Sequence, residues 1–113
     1  EDLALRLANG FGAGMARRQE VCGAVSGAIL VLGLIYGRGV NDGKDKHEYT
    51  YLKVKELIEK FEAQHGNVNC KNLLDGCDLN TAAGQNHFKS KNLIEQCYGY
   101  VDSVVKILED IIA

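Results

Sequence analysis

Cys22, Cys70, Cys77 and Cys97 are the side chains of this 113-residue chain from which chemistry is most readily built. A thiolate is a nucleophile, half of a two-electron couple and a ligand for soft metals, so four cysteines admit thiol–disulfide chemistry or a metal or iron–sulfur centre. The bland reading is that free cysteines are small hydrophobes packed in a core. No C-x-x-C occurs, so partners must meet through the fold and not within one helical turn. The step from Cys70 to Cys77 is wider than the usual paired-ligand spacing, and no C-x-x-C-H is present for haem attachment. His47, His65 and His87 are candidate additional ligands, but their scatter reads as surface histidine. No Ser-His-Asp set or pair of catalytic carboxylates stands out. Gly10-Phe11-Gly12 lacks the preceding strand and the full spacing of a dinucleotide turn.

The elements that must position these thiols are helical. Leu3, Ala4, Leu7 and Ala8 repeat at helical spacing up to Asn9-Gly10, and a glycine-rich bend, residues 10 to 15, leads past Arg17 and Arg18 to a second helix near Gln19. Val21 to Gly37 is a run of 17 uncharged residues, at the lower limit for a membrane span. With Gly23, Gly27 and Gly33 inside it, the run is expected to be a buried central helix that other apolar stripes surround, its small residues admitting neighbouring backbones. A polar loop, 38 to 46, precedes a third helix, about 48 to 65, with Tyr51, Val54, Leu57, Ile58 and Phe61 on one face and Gly66 as its stop. Asn67 and Asn69 cap a short helix through Leu74, residues 78 to 90 form at most a loose turn, and a last helix carries Ile94, Cys97, Val101, Val104, Leu108 and Ile111. The expectation is an all-α, compact bundle of about five helices around a central apolar helix, about residues 20 to 37, in a single domain over 1 to 113.

Placement sharpens the chemistry. Cys22 falls in the first turn of the central helix and Cys70 in that of the short one, where unpaired N–H groups and the positive end of the helix dipole favour a thiolate. Arg17 and Arg18 are near enough in sequence to add to that effect, and Cys97 points inward. The 13 Lys and Arg against 15 Asp and Glu leave a net charge of -2 and no basic footprint for nucleic acid. The charged, amphipathic opening from Glu1 is unlike a signal peptide, so a cytoplasmic protein with free thiols is expected. The chain opens inside a helical pattern, and an upstream segment is expected too.

With Phe11-Gly12-Ala13-Gly14-Met15 followed by Cys22-Gly23-Ala24-Val25-Ser26-Gly27, the chain resembles the redox-active protein family named for its C-GCAxxG-C-C cysteine pattern. The first stretch is similar to the family's glycine run and the second to its CGAxxG motif. Leu32 to Arg38 resembles the helix end that follows, Cys70-Lys71-Asn72-Leu73-Leu74 the next cysteine segment, and Cys97 the final cysteine. Cys77 matches a position where cysteine is frequent but optional. The family's pattern has a further cysteine upstream of the glycine run, at a place that falls before Glu1. The resemblance implies redox activity and names neither substrate nor reaction.

The leading reading is then thiol–disulfide chemistry with Cys22 as nucleophile, Cys70 as resolving partner, and Cys97 or Cys77 as a second pair. Four cysteines permit three pairings, and each needs a Cα separation below about 7 Å. This reading requires no cofactor, and its partner is a redox protein or a small thiol. The alternative makes Cys22, Cys70, Cys77 and Cys97 ligands of a metal ion or iron–sulfur cluster. A second alternative is a helical interaction module with inert cysteines, pairing with a copy of itself as a homodimer through the glycine-bearing helix. Whether the chain is an enzyme stays open.

Overall fold

Three long helices make the frame. In the computed structural model, which describes residues 1–113, α1 (Asp2–Ala8) leads through a 3-10 turn (Asn9–Phe11) and a single turn α2 (Gly12–Met15) to α3 (Gly23–Tyr36). There follow α4 (Lys44–His65), the short α5 (Cys70–Leu73), α6 (Ala82–Ser90) and α7 (Ile94–Ile112). The chain is all-α. α4 has Asp45 in its first turn and His65 in its last, the charge order a helix dipole favours, and it stops where Gly66 turns left-handed at φ 84° and donates its N–H to Glu62 O.

α3, α4 and α7 pack on one another around Val25, Ala28, Leu32, Leu57, Phe61, Val104, Ile107 and Ile111, with Leu73 of α5 closing one end. Val25, Leu32, Leu57 and Phe61 are fully buried. Truncating a residue such as Phe61 to alanine typically costs about 3–5 kcal/mol. The stripes read for α4 and α7 are therefore the ones that bury, although Tyr51, Ile94 and Val101 at their edges remain exposed.

α3 sits in the frame but is not surrounded. α4 and α7 cover the side with Val25, Ala28 and Leu32, while Leu30, Val31, Leu34 and Ile35 on the other side are exposed, Leu34 at 88 %. Close backbone approach occurs at Gly23, where an added Cβ would stand 3.0 Å from Phe11 O, and not at Gly27, which faces open space. No helix is long and apolar enough to cross a membrane.

Residues 78 to 90, expected as a loose turn, contain the nine-residue helix α6. Its start is fixed by Thr81, whose Oγ1 accepts from Gly84 N at 2.9 Å, so a local cap does what apolar periodicity does not announce. α6 helps to enclose a second, smaller core of Cys70, Leu74 and Leu79, against which Ala13, Cys77, Phe88, Leu93 and Cys97 pack. The thiols thus gather in the smaller core and at its seam with the larger one, where Cys22 packs.

Candidate thiol site

Local backbone geometry brings together cysteines far apart in the sequence. The chain between α2 and α3 is turned by left-handed residues: Ala13, Met15, Ala16, Arg17 and Gln19 all have positive φ, as does Gly14. Each non-glycine residue there costs on the order of 1–2 kcal/mol. Such a conformation persists only where other bonds determine it. Here they do. Gln19 N donates to Ala13 O and Glu20 N to Gly14 O, while Asn80 Nδ2 donates to Arg17 O at 2.7 Å. The second helix consequently begins at Gly23 and not near Gln19, because residues 20 to 22 run extended along residues 68 to 70.

That extended contact is an antiparallel bridge between Val21 and Asn69. Cys22 N donates to Val68 O at 2.7 Å and Cys70 N donates to Glu20 O at 2.6 Å. Alternation along paired strands puts the side chains of residues 22 and 70 on the same face of the bridge. Cys22 is then the N-cap of α3 and Cys70 the first residue of α5.

Both thiols line a cavity of about 220 Å³, and Cys97 from the first turns of α7 lines it as well. The other walls are Ala13, Gly14, Gly23, Ala24, Leu74, Leu79, Phe88, Ile94 and Val101, with no charged side chain among them. Gly14 is held against Cys70: a Cβ there would lie 2.8 Å from Cys70 Cβ.

The apolar surroundings govern the thiols. Burial pushes Cys70 up to about 11, and the neighbouring Cys22 pushes in the same direction, against a lowering hydrogen bond from the Gln19 side chain. Burial also raises Cys97, again with a contribution from Cys22. The expectation that a helix start would favour a Cys70 thiolate is thus overturned: α5 is a single turn, and desolvation outweighs what its N-terminus supplies.

Arg17 and Arg18 do not reach the thiols. Arg18 pairs with Glu20 at 3.4 Å on the surface, Arg17 is exposed, and neither lines the cavity. Cys77 packs on the same smaller core but does not line the cavity, its Sγ donating to Gly84 O at 3.2 Å beside α6. The histidines lie elsewhere: His65 bonds Ser103 Oγ at 2.9 Å and packs tilted against Phe61 and edge-on to Tyr100, and His47 packs tilted against Tyr51. As the side chains stand, no three of His, Cys, Asp or Glu are grouped closely enough to hold a metal ion.

Two residues that the sequence did not single out belong to the site. Gln19 is 4 % exposed; its Nε2 donates to Cys77 O at 2.6 Å and its Oε1 accepts from Leu79 N at 2.9 Å, tying the α2–α3 segment to the chain beyond α5. Tyr100 donates its hydroxyl to Leu73 O at 2.7 Å, and burial, followed by the nearby Cys97, raises its pKa. No spacing rule marks either, since each acts through a contact made only after folding.

Among known families, one whose model is described as "Putative redox-active protein (C_GCAxxG_C_C)" matches residues 1–111. No curated protein and no solved structure matches the chain.

Proposed function

Because the chain belongs to the C_GCAxxG_C_C redox-active protein family, we propose that it works by thiol–disulfide chemistry, with Cys22 and Cys70 as the first reacting pair. The observation that carries this reading is the shared wall: Cys22 and Cys70 are 48 positions apart in sequence, yet they flank one backbone bridge and line one cavity. Cys22 is partly exposed at the start of α3, where an incoming reactant meets it. Cys70 is buried and its thiol is pushed up, so it does not compete for the incoming reactant, and it attacks second because it already stands beside the disulfide formed on Cys22. Oxidation of the pair releases two electrons and two protons, and a redox partner protein or a small thiol-disulfide couple exchanges them. Cys97 is the reserve partner on the same wall, and Cys77 is tied to Gly84.

The test is anaerobic purification, metal and sulfide analysis, and thiol titration before and after mild oxidation with diamide, with peptide mapping of the product. Reversible loss of two thiols, mapped to Cys22 and Cys70 and absent in Cys22→Ser, is the expected result. Stoichiometric metal that protects the thiols from titration would replace this reading with a cysteine-ligated centre. Metal-free protein with unreactive thiols would leave the cysteines as packing residues.

A further inference from the structure

The walls of the thiol cavity restrict what can react there. Ten of its 12 lining residues are hydrophobic, none is charged, and the rim carries Ile94 and Val101, which are 37 % and 47 % exposed. No lysine or arginine is positioned in the lining to receive a carboxylate. Bringing an unpaired carboxylate into such surroundings is strongly unfavourable. An apolar cavity of about 150 Å³ accommodates benzene. A volume of about 220 Å³ therefore takes a molecule somewhat larger, but not a peptide. Phe88 adds an aromatic wall, a surface that divalent sulfur contacts favourably.

From these walls we infer that the site reacts with small, uncharged, apolar disulfides and discriminates against glutathione disulfide. The inference rests on the thiol–disulfide reading and adds the substrate class to it. The Cys22 thiolate attacks one sulfur of R–S–S–R; the Cys22–S–S–R bond forms, the substrate S–S bond breaks, and RS⁻ leaves and takes up a proton. The Cys70 thiol gives its proton to solvent water and its sulfur attacks the Cys22 sulfur; the Cys22–S–S–R bond breaks, the intramolecular disulfide forms, and the second RS⁻ departs and takes a proton back from water. Two protein thiols are oxidised and one disulfide is reduced to two thiols, so atoms and electrons balance without another reactant.

Rates of thiol loss from the fully reduced protein at pH 8 would be measured with diethyl disulfide and with glutathione disulfide, each divided by the rate for a short unstructured cysteine peptide. The expected result is at least a tenfold normalised preference for the uncharged disulfide, reduced severalfold in Val101→Asp, a rim substitution whose folding is checked by circular dichroism. Equal rates, or a preference for glutathione disulfide, overturn the inference. If diamide still forms the Cys22–Cys70 disulfide in that case, the proposed pair survives without the apolar preference. If the preference is found but the product stops at a mixed disulfide on Cys22, the pocket assignment holds and the pairing falls.

Discussion

Cys22 and Cys70 stand one residue beyond the two members of a single antiparallel bridge, Val21 and Asn69, each with its own N–H bonded across the bridge, Cys22 to Val68 O and Cys70 to Glu20 O. Their backbones are therefore held before any bond joins their sulfurs. A disulfide here would close a loop of 49 residues, counted from 22 through 70. Loop-closure entropy then predicts a gain of up to about 4 kcal/mol in unfolding free energy on oxidation. Urea unfolding of the reduced and oxidised protein measures it. Cys22→Ser and Cys70→Ser should each show no gain, and an equal gain in either variant would assign the disulfide to other cysteines.

The alkaline stability of the reduced protein follows from Cys70. Its folded-state value, near 11, lies above the 9.0 of a free thiol, so the unfolded chain loses this proton first as pH rises. The native state binds more protons than the unfolded state between those values, which makes the slope of stability against pH negative there. Stability from this group is complete below about pH 9 and is lost progressively through about pH 11. Cys97 and Tyr100 are raised as well and act with the same sign. Urea midpoints of reduced protein should fall from pH 8.5 to pH 10.5, and Cys70→Ala should lessen that fall without removing it.

Gly14 tests whether the strained approach to the site is required. Its φ of 65° suits glycine, and a Cβ there would lie 2.6 Å from both Gln19 Cα and Glu20 N and 2.8 Å from Cys70 Cβ. Left-handed strain and overpacking together should make Gly14→Ala cost about 2–4 kcal/mol. Gly10→Ala, which meets nothing within 4 Å at a non-left-handed position, is the control and should be near neutral. The check is the denaturant midpoint together with the rate of Cys70 alkylation, which should rise only in Gly14→Ala.

What was legible in the sequence is what repeats or punctuates. The stripes on α4 and α7 repeat every three or four residues, and Gly66 stops α4 by a local left-handed turn, so both were readable. α6 was not, since it offers little beyond Phe88 as a large apolar residue and owes its start to one Thr81 cap. α3 misled in a different way: apolar residues all round suggest burial all round, but two long neighbours cover only one side and leave Leu34 in solvent. For the site, the cysteines themselves were visible, and their convergence was not. It depends on the Val21–Asn69 bridge and on a run of left-handed residues, neither of which has a side-chain signature. The same is true of the side chain that secures them.

Gln19 is that side chain. Its amide is the sole side-chain partner of Cys77 O and Leu79 N, and its side chain lowers the Cys70 pKa against the effect of burial, so one residue from the α2–α3 segment fixes the chain on either side of Asp78. Gln19→Met keeps the length and unbranched shape while removing both hydrogen-bonding atoms. A buried backbone group left without a partner costs about 1–3 kcal/mol, so losing two should lower stability by roughly 2–6 kcal/mol. The loss should be local before it is global. Amide exchange at Leu79 should accelerate far more than at Phe61 in the main core, because the smaller core opens while α3, α4 and α7 stay packed. With the lowering contact gone, the Cys70 thiol should titrate above its present value near 11, and the alkaline fall in stability should extend correspondingly higher. Uniform acceleration at both amides would mean that the two clusters unfold as one unit, with Gln19 supporting the fold in general and not the thiol wall in particular.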